Sequence, residues 1–248
     1  MSNSSIGQII VNDSFDYADD AALQAVWSTS ASLSLNTTNG NPIPSAFHSG
    51  EAAIHQPIGL TFNITPTAAS PVLLSADIWS SGGANQRNSV GLRTGANPLF
   101  EMGMYNAFDN IQTGPDTVAA LTPTEVGIGV RMLSLGAGGF NGQSWIKFGD
   151  NYSGWARWEA IFTDVTTTVR VDLGIDSTWD YEFSSTRATP VAAFSDLRFG
   201  GPSGLSSTDG AFAVDNIRLE VIPEPSTIAL GLMGGLGLAV LLMRRRRR

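Results

Sequence analysis

Asp13, Asp16, Asp215 and Asn216 lie near the two ends of a long polar stretch and carry oxygen donors. A calcium ion takes six to eight such oxygens from carboxylates, amides and backbone carbonyls. Terminal strands of a β-sandwich often pair, and pairing would bring the four groups together. Asp215 shares strand parity with Ile217, Leu219 and Val221. A carboxylate turned inward with them is costly unless it is paired or bound to a metal. These residues therefore form a candidate Ca²⁺ site. The alternative is that Asp215 stands at the strand entrance, wet or hydrogen-bonded to a turn.

Other chemistries find less support. The only histidines are His48 and His55, whose spacing fits neither a helical zinc pair nor a zinc finger. There is no cysteine, so disulfide and thiolate chemistry are excluded. No G-x-S-x-G occurs; the nearest match, Gly201–Leu205, reads as a turn. Gly136–Gly142 looks like a phosphate loop but leads into an apparent strand, Trp145–Phe148, rather than a helix. Glycoside hydrolysis needs two carboxylates flanking the bond. The E-x-D-x-x-E strand pattern of concanavalin-like glycosidases is absent, and Glu159 reads as an outward-facing strand residue. No catalytic residue is assigned. Trp79, Trp145, Trp155 and Trp179 either stack on sugar rings or fill a core, as Trp158 does by its parity.

The elements that must position these residues are strands. Val72, Leu74, Ala76 and Ile78 alternate with Leu73, Ser75, Asp77 and Trp79. The same period of two runs through Val126–Met132, Ala156–Phe162 and Val169–Ile175. Further strands are expected at 33–35, 60–64, 90–94, 99–105, 145–148, 194–199 and 212–221, separated by Gly-, Asn- and Pro-rich turns. One short helix is expected at Asp19–Val26, with Asp20 as its cap. About eleven strands without a long amphipathic helix predict an all-β fold, a two-sheet antiparallel sandwich, with a closed barrel as the alternative. The boundaries expected are a disordered or truncated N-terminus over 1–11, a β-sandwich body over 12–222 and a tail over 223–248.

The body carries 21 acidic and nine basic residues, a net of −12. Such a surface repels phosphate, so no nucleic acid is expected as a partner. The tail is of another kind. It reads Pro223-Glu224-Pro225, then 16 uncharged residues from Ile228 to Met243, then Arg244, Arg245, Arg246, Arg247 and Arg248. As a helix, the uncharged run spans roughly 24 Å, slightly short of a bilayer core of about 30 Å. Extending it towards Pro225 predicts one C-terminal transmembrane helix at about 226–243, in contact with membrane lipid. The arginines stay cytoplasmic by the positive-inside rule, with the body outside.

This order of motif, apolar helix and arginine cluster resembles the PEP-CTERM sorting signal. The resemblance implies export, recognition by an exosortase (a membrane transpeptidase), processing near Pro223–Pro225, and residence at the cell surface or in the extracellular matrix. It also implies a signal peptide. Met1–Val11 lacks a basic segment and a long apolar run, so an export signal is expected upstream of Met1. The opening Asp13–Tyr17 with Trp27, and the closing Phe212–Leu219, resemble terminal strands of laminin-G-like, concanavalin-like and carbohydrate-binding jelly rolls. The function expected is a non-enzymatic surface protein that binds extracellular polysaccharide. The alternatives are a secreted glycan hydrolase and a purely structural surface protein without a ligand.

Overall fold

The computed structural model describes residues 7–30, 32–49, 53–83, 87–95, 98–105, 110–114, 117–120, 126–133, 144–187, 189–200 and 212–222. The expected transmembrane helix, the motif Pro223–Pro225 and Arg244–Arg248 lie outside these residues, as do Gly136–Gly142 and Gly201–Leu205. Among the described residues no helix is long and apolar enough to cross a membrane.

Among the described residues, sixteen strands and one helix run in order: β1 (Gln8–Asp13), α1 (Asp20–Val26), β2 (Leu33–Asn36), β3 (Ser45–His48), β4 (Ile54–His55), β5 (Val72–Ser81), β6 (Arg87–Arg93), β7 (Leu99–Tyr105), β8 (Asn110–Gly114), β9 (Thr117–Ala120), β10 (Gly127–Leu133), β11 (Ser144–Gly149), β12 (Ser153–Phe162), β13 (Thr166–Leu173), β14 (Tyr181–Thr186), β15 (Asp196–Gly200) and β16 (Phe212–Val221). They form two sheets rather than a closed barrel. The first runs β14-β13-β12-β5-β16-β3-β2, with β1 also on β16; the second runs β4-β15-β6-β7-β10-β11-β8-β9. The described pairings are antiparallel apart from β8 with β11.

Alternation built this fold as the sequence predicts. Val72, Leu74, Ala76 and Ile78 on β5, with Ala156, Trp158, Ala160 and Phe162 on β12, are buried between the sheets. Val90, Leu92, Phe100, Met102, Ile128 and Val130 face them from the second sheet in one continuous core. At about 25 cal/mol per Å² of apolar surface removed from water, this core is the main stabilising term.

Several details differ from the sequence reading. Strands β3, β4, β8, β9 and β14 form where none was expected, and β13 ends at Leu173, with Ile175 in the following turn at φ +57°. The first strand begins at Gln8 and pairs with β16, so the sandwich starts upstream of residue 12. The segment 60–64 contributes one bridge, Ile64 to Phe194, rather than a strand. The helix cap is Asp19, whose carboxylate accepts from Ala22 N at 2.8 Å. Asp20 reaches away instead, accepting from Leu35 N at 2.7 Å.

Candidate functional site

The outward face of the first sheet brings together Trp79, Trp155, Glu159 and Asp215 of the residues singled out by the sequence. Strand register lays them in rows. Trp155 on β12 stands opposite Trp79 on β5, followed by Ala213 on β16 and Phe47 on β3. The adjacent row is Asp172, Arg157, Asp77 and Asp215, from β13, β12, β5 and β16. The next places Glu182, Arg170, Glu159, Ser75 and Arg218 side by side. Glu159 is therefore a rung of a surface charge ladder, as its parity predicts.

Asp215 is not where simple parity puts it. Asp215 pairs with Asp77, but Arg218 pairs with Ser75, so β16 holds one residue more than β5 over this stretch. The extra residue makes a bulge, and Asn216 there has φ +49°. A bulge flips the alternation beyond it, and Asn tolerates this left-handed conformation better than most residues. Ile217 returns to the core, while Asp215 joins Asp77 on the outward face.

Both carboxylates are nevertheless buried, Asp77 at 1% and Asp215 at 0% exposure. The loop from Asn39 to Pro44 folds over them. Asn41 donates its backbone N–H to Asp215 Oδ2 at 2.8 Å and its side-chain amide to Asp77 Oδ2 at 2.9 Å. Asn216 donates its N–H to Asp215 Oδ1 and its amide to Asp77 Oδ2. Arg157 completes the cluster with Nε on Asp77 Oδ1 at 2.9 Å and a second bond to Oδ2 at 3.1 Å. The guanidinium is held even more firmly protonated by its hydrogen bond to Asp77. Asp215 has no cation of its own among these bonds. Burial pushes its carboxyl up to about 6, against the two N–H donors that pull it down, and Asp77 and Asp16 add to the rise.

Asp13 and Asp16 approach from β1, as strand pairing predicts, but face other partners. Asp13 Oδ1 accepts from Phe15 N at 2.8 Å; Oδ2 accepts from Tyr17 Oη and, at 2.7 Å, from Trp27 Nε1. Asp16 accepts from Ser14 Oγ at the surface. Among the described residues no group of three or more His, Cys, Asp or Glu side chains is arranged to hold a metal ion. The four candidate calcium ligands thus share a neighbourhood without converging, and Asp13 and Asp215 are occupied by protein donors. As placed, this donor set fits a hydrogen-bonded lock rather than a cation site.

The tryptophans divide. Trp158 is core. Trp79 and Trp155 are half-buried on the outward face, and Trp155 Nε1 is fixed on Asn39 Oδ1 at 2.7 Å. Trp179 is exposed in the β13–β14 turn. Trp145 is buried on the second sheet against Tyr105, with Arg131 stacked over its ring at 4.8 Å. Sequence reasoning passed over Glu101 on β7, which is buried 3.4 Å from Arg131; burial raises its carboxyl and Arg131 opposes the rise. The outward parity of Glu101 was readable, but its burial was not.

The tail is decided by comparison. Residues 221–248 match the family model of the PEP-CTERM protein-sorting motif. The chain carries a PEP-CTERM sorting tail. That motif indicates export of a membrane-anchored precursor and sorting to the cell surface, and it is the element that an exosortase recognises. Comparison with curated proteins finds no match for the chain. Among solved structures, the binding domain of Paraclostridial Mosquitocidal Protein 1 aligns with a TM-score of 0.51 at 9% identity, over 90% of this chain and 51% of that one. The CBM2 module of the evolved Dit protein of Lactobacillus casei BL23 phage J-1 aligns at 0.47 and 10% identity, over 88% and 97%. An engineered GH43 glycoside hydrolase aligns at 0.49 and 11% identity, over 89% and 42%. The likeness to the first of these is one of fold.

Proposed function

We propose that the protein is an exported surface component whose sandwich binds extracellular polysaccharide through the Trp79–Trp155 face. Its tail, with a transmembrane helix at about 226–243 and Arg244–Arg248 inside, anchors the precursor until it is cut near Pro223–Pro225. The observation that carries the reading is the sorting motif at residues 221–248, which puts the sandwich on the outside of the cell. Support for the ligand comes from the face itself. Two indoles stand side by side on neighbouring strands, one of them pinned by Asn39, in reach of solvent. Pyranose rings present apolar C–H faces to such flat surfaces, and a side chain already held in place loses little entropy on binding. The flanking Arg157, Glu159 and Arg170 offer hydrogen bonds to hydroxyls.

The reading is non-enzymatic. It is tested by binding and product release on the same panel of purified polysaccharides. Binding without turnover, weakened at least tenfold by W79A or W155A, is the expected result. Turnover abolished by substituting one Asp or Glu would replace it with a glycan hydrolase. Neither binding nor turnover on any surface polysaccharide of the producing cell would leave a structural protein without a ligand.

A further inference from the structure

The two histidines, set aside as metal ligands, meet inside the sandwich. His48 on β3 belongs to the first sheet and His55 on β4 to the second. His48 Nδ1 lies 2.9 Å from His55 Nε2, and Ser28 Oγ lies 3.0 Å from His55 Nδ1. Both rings are fully buried. Aromatic rings surround them: Phe212 is 5.2 Å from His48, and Phe199 is 5.1 Å from His55 and 4.9 Å from Trp27.

The strap that carries His55, residues 54–60, is weakly held. Among the described residues it pairs with β15 through two register positions, His55 with Phe199 and Ile54 with Gly200. Further along, Gln56 reaches Asp196 at 3.3 Å and Ile58 N donates to Val26 O. Ile58 is exposed. Pro57 to Leu60 form one wall of a groove of about 340 Å³, with Val26, Trp27 and residues of β1 opposite.

We propose that the Ser28–His55–His48 chain is an acid-sensitive latch: it fastens the strap 54–60 to the end of α1 while both rings are neutral, and double protonation releases the strap and opens the groove. The chemistry is that of one shared hydrogen. With one N–H between them, Nδ1 and Nε2 hold the sheets together. When both rings are protonated, two N–H groups face each other across 2.9 Å, and the His55 charge lies buried against the Phe199 ring. Among the described residues, the carboxylates of the neighbouring elements are engaged elsewhere. Asp196 and Arg198 on β15 bond to each other, Asp13 is held by Tyr17 and Trp27, Asp20 of α1 by Leu35, and Asp215 of β16 by Asn41. Strands β2, β3 and β4 carry no other charged residue. Burial, with His48 as the charged neighbour acting on it, holds His55 down at about 4.

The test uses the full chain in detergent micelles. Because the sequence holds only two histidines, ¹³C-histidine labelling gives two imidazole signals. We expect the His55 signal to titrate below pH 5. Over the same interval, hydrogen-exchange protection of residues 53–61, corrected for intrinsic rate, should fall at least tenfold while β5 and β12 stay protected. H55Q, which cannot titrate, should abolish the pH dependence of protection in the strap. A His55 midpoint near 6.5, or strap protection unchanged between pH 7 and pH 4, overturns the latch without reference to any variant. Equal loss of protection in H55Q also overturns it.

Discussion

Replacing Arg157 by Met probes the buried carboxylates directly. Arg157 supplies two hydrogen bonds to Asp77, at 2.9 Å to Oδ1 and 3.1 Å to Oδ2. Asp77 is 1% exposed, and Asp215 stands beside it on the neighbouring strand. Met retains the stem that packs on the sheet but takes the cation away from two adjacent carboxylates. Breaking a buried ion pair from one side costs about 3–5 kcal/mol. The guanidinium side chain is 44% exposed, and the Asn41 and Asn216 amides remain on Asp77, so the lower end applies. A loss of about 3 kcal/mol lowers the Tm by roughly 6–12 °C in a domain of this size. Calorimetry reads this directly, and urea titration gives the free energy. R157K should recover less than half, because an ammonium cannot make the paired contact. Adding D77N to R157M should cost at least about 1.5 kcal/mol less than the two single losses combined, since the orphaned charge is gone. A fall in Tm under about 2 °C, or strictly additive losses, would refute the idea that Asp77 depends on Arg157.

The same network and the tail give three further expectations. Asp215 is raised from 3.8 to about 6 in the folded state, so its contribution is greatest when protonated and is lost as pH rises through that window. D215N removes this titration: measured by urea unfolding, wild type should lose up to about 3 kcal/mol relative to D215N between pH 4 and pH 6, and a constant difference would contradict it. Because Asp13 and Asp215 already accept from protein donors, Ca²⁺ and EDTA should leave the melting midpoint within about 1 °C of each other. A rise of several degrees with Ca²⁺ would show ligand stabilisation of the folded state and restore the calcium site. Mass spectrometry of the native surface protein should find a C-terminus near Pro223–Pro225; mature protein ending in Arg248 would make the tail a permanent anchor.

Much of the architecture was legible because alternation is a local signal. Val72–Trp79, Ala156–Phe162 and Val169–Leu173 each declare an inner and an outer face without reference to any partner, and the sandwich keeps those faces. The tail was legible for the same reason: Pro223–Pro225, an apolar run and five arginines are contiguous. What escaped depends on residues far apart in the chain. Asp215 appeared to share a face with Ile217 because parity counts residues, and only the pairing of β16 with β5 reveals the bulge at Asn216 that resets the count. Asp77 looked like an ordinary outward residue, yet the loop carrying Asn41, 36 positions away, seals it and makes Arg157 necessary. His48 and His55 seemed unrelated to each other by any ligand spacing. They meet because one strand enters the first sheet and the next enters the second, and the rings then close across the core. Sequence thus determined which face each strand turns inward and where the chain is sent, since both depend on neighbours along the chain. Tertiary structure alone decided which polar groups are buried together, because burial depends on which distant segment covers them.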